Sequence, residues 1–125
     1  MRSPEATIAS PELVRAIADG PVLDLTAAVA VLAGIEPATL EPDDQVDLVR
    51  AYDRRQAALD AAKTRAIAAV ADSYQALGMP ASEARHEIGA ALRTSPVTAA
   101  DRTVVAVDLR DRFPRTLALL DEGRI

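Results

Sequence analysis

ASEARHEIGAALRTSPVTAADRTVVAVDLRDR, residues 81–112, is the stretch whose reading decides the fold. It divides into two helices around a tight break. The first spans about Glu83 to Leu92, with Ser82 as its N-cap, because a serine hydroxyl can accept an amide hydrogen bond left over in the first turn. Ile88 and Leu92 stand one turn apart and share an inward face. The second helix opens at Ser95-Pro96, where Ser95 caps and Pro96 gives up only an N–H that the first helical position cannot use. Ala99, Ala100, Thr103, Val104 and Val107 then recur at three- and four-residue steps, the mark of a buried stripe. Thr98, Asp101, Arg102, Asp108 and Arg112 fall on the other side. Two readings fit this pattern. One is a helix-turn-helix, which needs a short break and an exposed start to its second helix so that side chains reach the major groove. The other is a helical hairpin with only a packing role.

Downstream, Phe113-Pro114 breaks the chain. A last helix, Arg115 to about Glu122, carries Leu117, Leu119 and Leu120 and ends at Gly123. The chain stops at Ile125 with no closing element, so a longer parent protein is expected. Upstream lies the longest element. Nothing breaks a helix from Pro42 to about Leu77, where Gly78 and Pro80 end it. At 1.5 Å per residue it runs on the order of 50 Å. Asp43, Asp44 and Asp47 crowd its first turns, where the helix dipole favours negative charge. Leu48, Tyr52, Leu59, Ala62, Ala66, Ile67, Val70, Tyr74 and Leu77 make the expected inward stripe. Arg54, Arg55, Asp60, Lys63, Arg65 and Asp72 fall mostly on other faces. The stripe is interrupted at Arg55-Gln56 and lacks sustained heptads, which argues against a true coiled coil. So long a helix outreaches a small core. Part of it is expected to pack on a second copy or on a domain outside these residues, as an antiparallel homodimer through the long helix or as an intrachain bundle.

Before it, Ser10-Pro11-Glu12 opens a short helix to about Ala18, with Leu13, Val14 and Ile17 as its apolar face. Asp24 caps a second, Leu25 to Ala33, ended by Gly34 and apolar nearly all round. The class is all-α, in three parts: short helices over 1–40, the long helix over 41–79, and the helix-turn-helix-like segment over 80–125.

The totals narrow the function. Of 125 residues, 27 are alanine and three are aromatic, so stability must come from close helix packing rather than large side chains. There are no cysteines, which removes disulfides and thiolate zinc sites. No apolar run approaches the roughly 20 residues that span a bilayer, and the N-terminus lacks the apolar core of a signal peptide. A cytoplasmic protein with no membrane contact is expected. The net charge of −5 is uneven. Residues 1–80 carry 7 basic and 12 acidic side chains, and residues 81–125 carry 7 of each. Neutralising phosphates supplies most DNA affinity. A neutral segment therefore counts against tight binding by itself.

Catalytic chemistry is not found. His86 is the only histidine. Glu83 and Glu87 lie within helical reach of it, but three ligands at best make a poor metal site, and an exposed histidine is the simpler reading. No nucleophile elbow, phosphate-cradling loop or dinucleotide fingerprint appears. The sequence offers no catalytic residue, cofactor, metal site or small-molecule substrate.

LVRAYDRRQAALDAAKTRAIAAV (48–70) and EIGAALRTSPVTAADRTVVAVDLRDRFPRTLALLDEGRI (87–125) resemble the N-terminal half of the 13E12-repeat proteins, the domain-of-unknown-function 222 group of actinobacteria and their phages. In that family a long helix leads into I-x-x-x-L-x-x-S-P-x-x-A, matched by Ile88, Leu92, Ser95, Pro96 and Ala99. A P-x-T-x-x-x-L-x-x-G-x-I segment follows, matched by Pro114, Thr116, Leu120, Gly123 and Ile125. The resemblance covers about residues 41–125. It implies a non-catalytic module associated with an HNH endonuclease domain, whose histidines this chain does not supply. Residues 87–125 also resemble, more distantly, the helix-turn-helix of the ParB and KorB partition proteins. That likeness implies that Ser95, Pro96, Thr98 and Arg102 face DNA, with Arg93 near a phosphate. One departure stands out. Such turns often use glycine where φ > 0 is needed; here Arg93 or Thr94 holds the place, which implies either another turn geometry or a weaker analogy.

Two functions follow as expectations. One is a DNA-positioning module acting through residues 95–112. The other is an oligomerisation or protein-interaction module acting through the long helix and Leu25–Ala33.

Overall fold

The computed structural model describes Pro11, Val14, Arg15 and residues 30–125. The expectations for Ser10, Leu13, Ile17, Asp24 and most of Leu25–Ala33 lie outside these residues. Every regular element among the described residues is helical, as the sequence predicts. A 3-10 turn at Pro37–Thr39 precedes α1 (Pro42–Ala76), α2 (Ala81–Leu92), α3 (Pro96–Asp111) and α4 (Pro114–Asp121). No helix among the described residues is long and apolar enough to cross a membrane. The chain forms two compact units: Met1–Leu59 with Leu119–Ile125, and Asp60–Ala118.

In the first unit Val14, Leu32, Ile35, Leu48 and Ala51 form the core, with Leu40 packed against them. Pro42 starts α1 at no cost in hydrogen bonding, and the acidic first turns take a cation from outside the helix. Arg15 reaches Asp44 at 3.2 Å and Asp47 at 3.4 Å. The hydrogen bond from Arg15 to Asp44 is the largest cause raising its guanidinium pKa. The Gln45 amide donates to the Pro37 carbonyl at 3.0 Å, tying the 3-10 turn to α1.

The face that α1 buries differs from the one that residue size predicts. Tyr52, Leu59 and Leu77 are exposed, as are Ala62 and Ala66. Ala51, Ala57, Ala61, Ala68 and, unexpectedly, Arg55 are buried. Only Leu48 and Ile67 of the expected stripe are fully buried, while Val70 and Tyr74 are half-buried. Small residues suit these positions because a methyl group lets neighbouring backbone come closer. The denser dispersion attraction at short range offsets the small area of each side chain. Arg55, one turn beyond Ala51, shares the side of the helix that buries Leu48 and Ala51, at 5% exposure. Burial, with a lesser contribution from the like charge of Arg54, lowers its pKa. The break in the stripe at Arg55 is thus a buried charge, after which the buried positions move to another side of the helix, at Ala57, Ala61 and Ala68.

At the end of this unit Gly123 adopts φ +67°, closing α4. Its N–H reaches the Leu120 carbonyl at 3.0 Å and the Arg124 N–H reaches that of Leu119 at 2.9 Å, the paired bonds of a Schellman cap. The Arg54 Nε donates to the Glu122 carbonyl at 3.0 Å, fastening the turn to α1.

In the second unit Ile67 and Ala68 of α1, Ile88 of α2, and Ala99 and Ala106 of α3 form one core, with Val70, Leu92 and Val107 at its edge. Thr103 is buried as expected, its hydroxyl donating to the Ala99 carbonyl at 2.7 Å. Val104 departs from the expected stripe. It is 52% exposed, and Ala106 takes the buried place. Arg110 binds Asp72 of α1 through two nitrogens and its neighbour Asp111 at 2.7 Å. Hydrogen bonds to both raise its pKa, and the bond from Arg110 holds the Asp111 carboxyl below the ordinary range.

Candidate nucleic-acid interface

Residues 81–112 form two helices and a corner, not one rod. The first helix begins one residue before the expected cap. Pro80 occupies the capping position without a side-chain bond, and Ser82 sits inside the first turn. Proline's fixed, extended-compatible φ and the acidic Glu83 in the first turn take the place of a hydroxyl cap.

The corner is made by Arg93, which adopts φ 56° and ψ 43°. Its N–H reaches the Ala90 carbonyl at 3.3 Å, and the Thr94 N–H reaches that of Gly89 at 3.0 Å. These are again the two bonds of a Schellman cap, here without glycine. The absence of glycine therefore does not signal another geometry. Arginine takes the left-handed conformation at a cost of about 1–2 kcal/mol, and the two cap bonds and the packing of α2 on α3 hold it there.

Two residues later Ser95 caps α3 as predicted. Its Oγ accepts from the Thr98 N–H at 3.2 Å, with Pro96 following it in the first turn. Ser95 Oγ also donates to Thr98 Oγ1 at 3.0 Å. Thr98 is half-buried, and its hydroxyl belongs to the cap as well as to the surface. Arg93, Ser95 and Arg102 are exposed. Neither Arg93 nor Arg102 is in an ion pair among the described residues. The four sequence-predicted positions thus lie on one corner and the first turns of one helix.

Sequence reasoning missed what sets the angle of that corner. Gly89 and Ala99 are both buried where α2 meets α3. A β-carbon on Gly89 would stand 3.2 Å from that of Ala99 and 3.5 Å from the Thr94 carbonyl oxygen. The signal was there to find: glycine inside a helix costs about 1 kcal/mol relative to alanine, so it wants a packing reason.

Two clefts open on this unit. One, of about 460 Å³, is lined largely by apolar groups, including Tyr74, Met79, Ala84 and Val104. The other, of about 480 Å³, lies between α1 and α3 and is lined by Asp60, Lys63 and Thr64 on one side and Asp101 and Arg102 on the other. His86 is exposed, and no group of three His, Cys, Asp or Glu side chains among the described residues is placed to hold a metal ion.

An all-helical protein with a left-handed corner leading into a serine-capped helix is the class that this geometry defines. Residues 44–125 match the family described as Domain of unknown function (DUF222), and the chain belongs to that family. No curated protein and no solved structure matches it.

Proposed function

We propose that the chain is a non-catalytic, cytoplasmic DNA-positioning module of an HNH-endonuclease-associated protein, with α2 and α3 serving as a helix-turn-helix. The observation that carries the reading is the Arg93 corner. It delivers a capped helix start to solvent with Arg93 and Arg102 both free of ion pairs among the described residues. In a major-groove approach Ser95, Thr98 and Arg102 face the duplex and Arg93 meets a flanking phosphate. The balanced charge of residues 81–125 makes the contact weak and salt-sensitive, which suits a module that orients a partner domain. No cofactor or small-molecule substrate enters this reading.

Titration of a labelled duplex at low salt tests it. Arg93→Ala/Arg102→Ala should weaken binding measurably, and the wild-type affinity should fall as salt rises. Equal binding by both proteins, or none by either, rejects the reading.

A second reading is homodimerisation without DNA contact. Its support is that Val46, Val49, Tyr52 and Leu59, three or seven residues apart on α1, are all exposed, between 46% and 66%. Light scattering decides it. A dimer that Val49→Asp/Leu59→Asp converts to a folded monomer supports the reading, and a wild-type monomer at every concentration rejects it.

A further inference from the structure

We infer that the cleft between α1 and α3 is part of the same DNA interface, with Lys63 on α1 holding a backbone phosphate alongside Arg102. The inference rests on the DNA-positioning reading and extends it to a helix outside the helix-turn-helix. Lys63 and Arg102 line one cleft from opposite helices. Both are exposed, and neither is in an ion pair among the described residues. Lys63 is the single lysine of the chain. Thr64, also on the cleft wall, offers a hydroxyl donor.

Two carboxylates share the cleft. Asp60 is engaged by another group of the protein, whereas Asp101 is exposed and makes no ion pair among the described residues. The lining charges balance at two of each sign, and the affinity for a negative ligand rests on Lys63 and Arg102 both lying outside ion pairs among the described residues. A duplex backbone fits this balance better than a small anion does. A phosphate already carried to Arg102 by the binding of α3 meets Lys63 without a separate cost of association. Asp101 then works against affinity, and its removal should tighten binding. The long helix becomes a second support for the duplex. Lys63 sets register on the backbone but reads no base.

The test measures fluorescence anisotropy of two unrelated labelled duplexes over a salt series. It compares wild type with Lys63→Gln, Lys63→Arg, Asp101→Asn and Arg102→Gln, each checked for helicity by circular dichroism. Lys63→Gln should weaken both duplexes by the same factor and reduce the log–log salt slope by about 0.9, the signature of one lost phosphate contact. Lys63→Arg should restore both, and Asp101→Asn should bind more tightly than wild type. Unchanged affinity and slope in Lys63→Gln, with Arg102→Gln weakened, overturns the cleft contact and leaves the DNA reading standing. Failure of wild type to bind either duplex overturns the DNA reading itself.

Discussion

Gly89 of α2 and Ala99 of α3 meet so closely that a methyl group on the glycine would lie 3.2 Å from the alanine β-carbon. That approach, with the Ile88–Ala99 core and the Arg93 cap, seats α3 against α2. Gly89→Leu should destabilise the protein by about 1–3 kcal/mol, the usual cost of overpacking. Gly89→Ala should be close to neutral, since the gain in helix propensity of about 1 kcal/mol opposes a slight clash. Urea unfolding followed by circular dichroism separates the two.

Arg93→Gly should stabilise. It removes the penalty of a left-handed arginine, about 1–2 kcal/mol, and restores about 0.5–1 kcal/mol of unfolded-state entropy. The expected net gain is about 0.5–1 kcal/mol, a rise of a few degrees in Tm. The same variant should bind duplex more weakly. A protein that is both more stable and less able to bind shows that arginine is kept at this corner for its contact, at some expense of stability.

Gly123→Ala should be costly. The residue has φ +67°, and an added β-carbon would strike Cγ of Arg54 and approach the Arg54 carbonyl oxygen to 2.9 Å. A loss of more than about 1 kcal/mol is expected from the conformation alone, with collision against backbone adding to it. Differential scanning calorimetry checks this.

Acid should remove the stabilising contribution of Asp111, which pairs with its α3 neighbour Arg110. Its folded pKa lies below the ordinary carboxylate range because it accepts from Arg110. The unfolded chain then binds more protons than the folded one. The contribution is present above the ordinary carboxylate pKa and is lost as pH falls through the folded value. Asp111→Asn should flatten the decline in urea midpoint between neutral pH and about pH 3. An unchanged decline would show that this carboxylate does not contribute to it.

Much of the fold was legible because its punctuation is local. Pro42 and Gly78 bound α1, Ser95-Pro96 opens α3, and Phe113-Pro114 separates α3 from α4. Each depends on backbone chemistry that a single residue dictates. The DUF222 resemblance was legible too, from the order and spacing of Ile88, Leu92, Ser95 and Pro96. The buried face of α1 was not. Helical periodicity weighted by side-chain size points to Tyr52 and Leu59, whereas this helix buries Ala51, Ala57, Ala61 and the charge of Arg55. Which way an alanine-rich helix turns is decided by how near its neighbours come, and that is a tertiary quantity. At the candidate interface, the exposure of Arg93, Ser95 and Arg102 agreed with the pattern. The bond from Ser95 to the Thr98 hydroxyl did not follow from spacing, because serine and threonine side chains choose among several local acceptors.

The buried alanines of α1 make the protein lopsided under mutation. Trimming Ala51, Ala57, Ala61 or Ala68 to glycine removes one carbon and some helix propensity, a loss of about 1 kcal/mol that a folded domain can survive. A larger side chain at any of them finds no room. Variation in relatives should therefore run freely along the outward Val46–Val49–Tyr52 edge and stall at the alanines, which hold their places by being small.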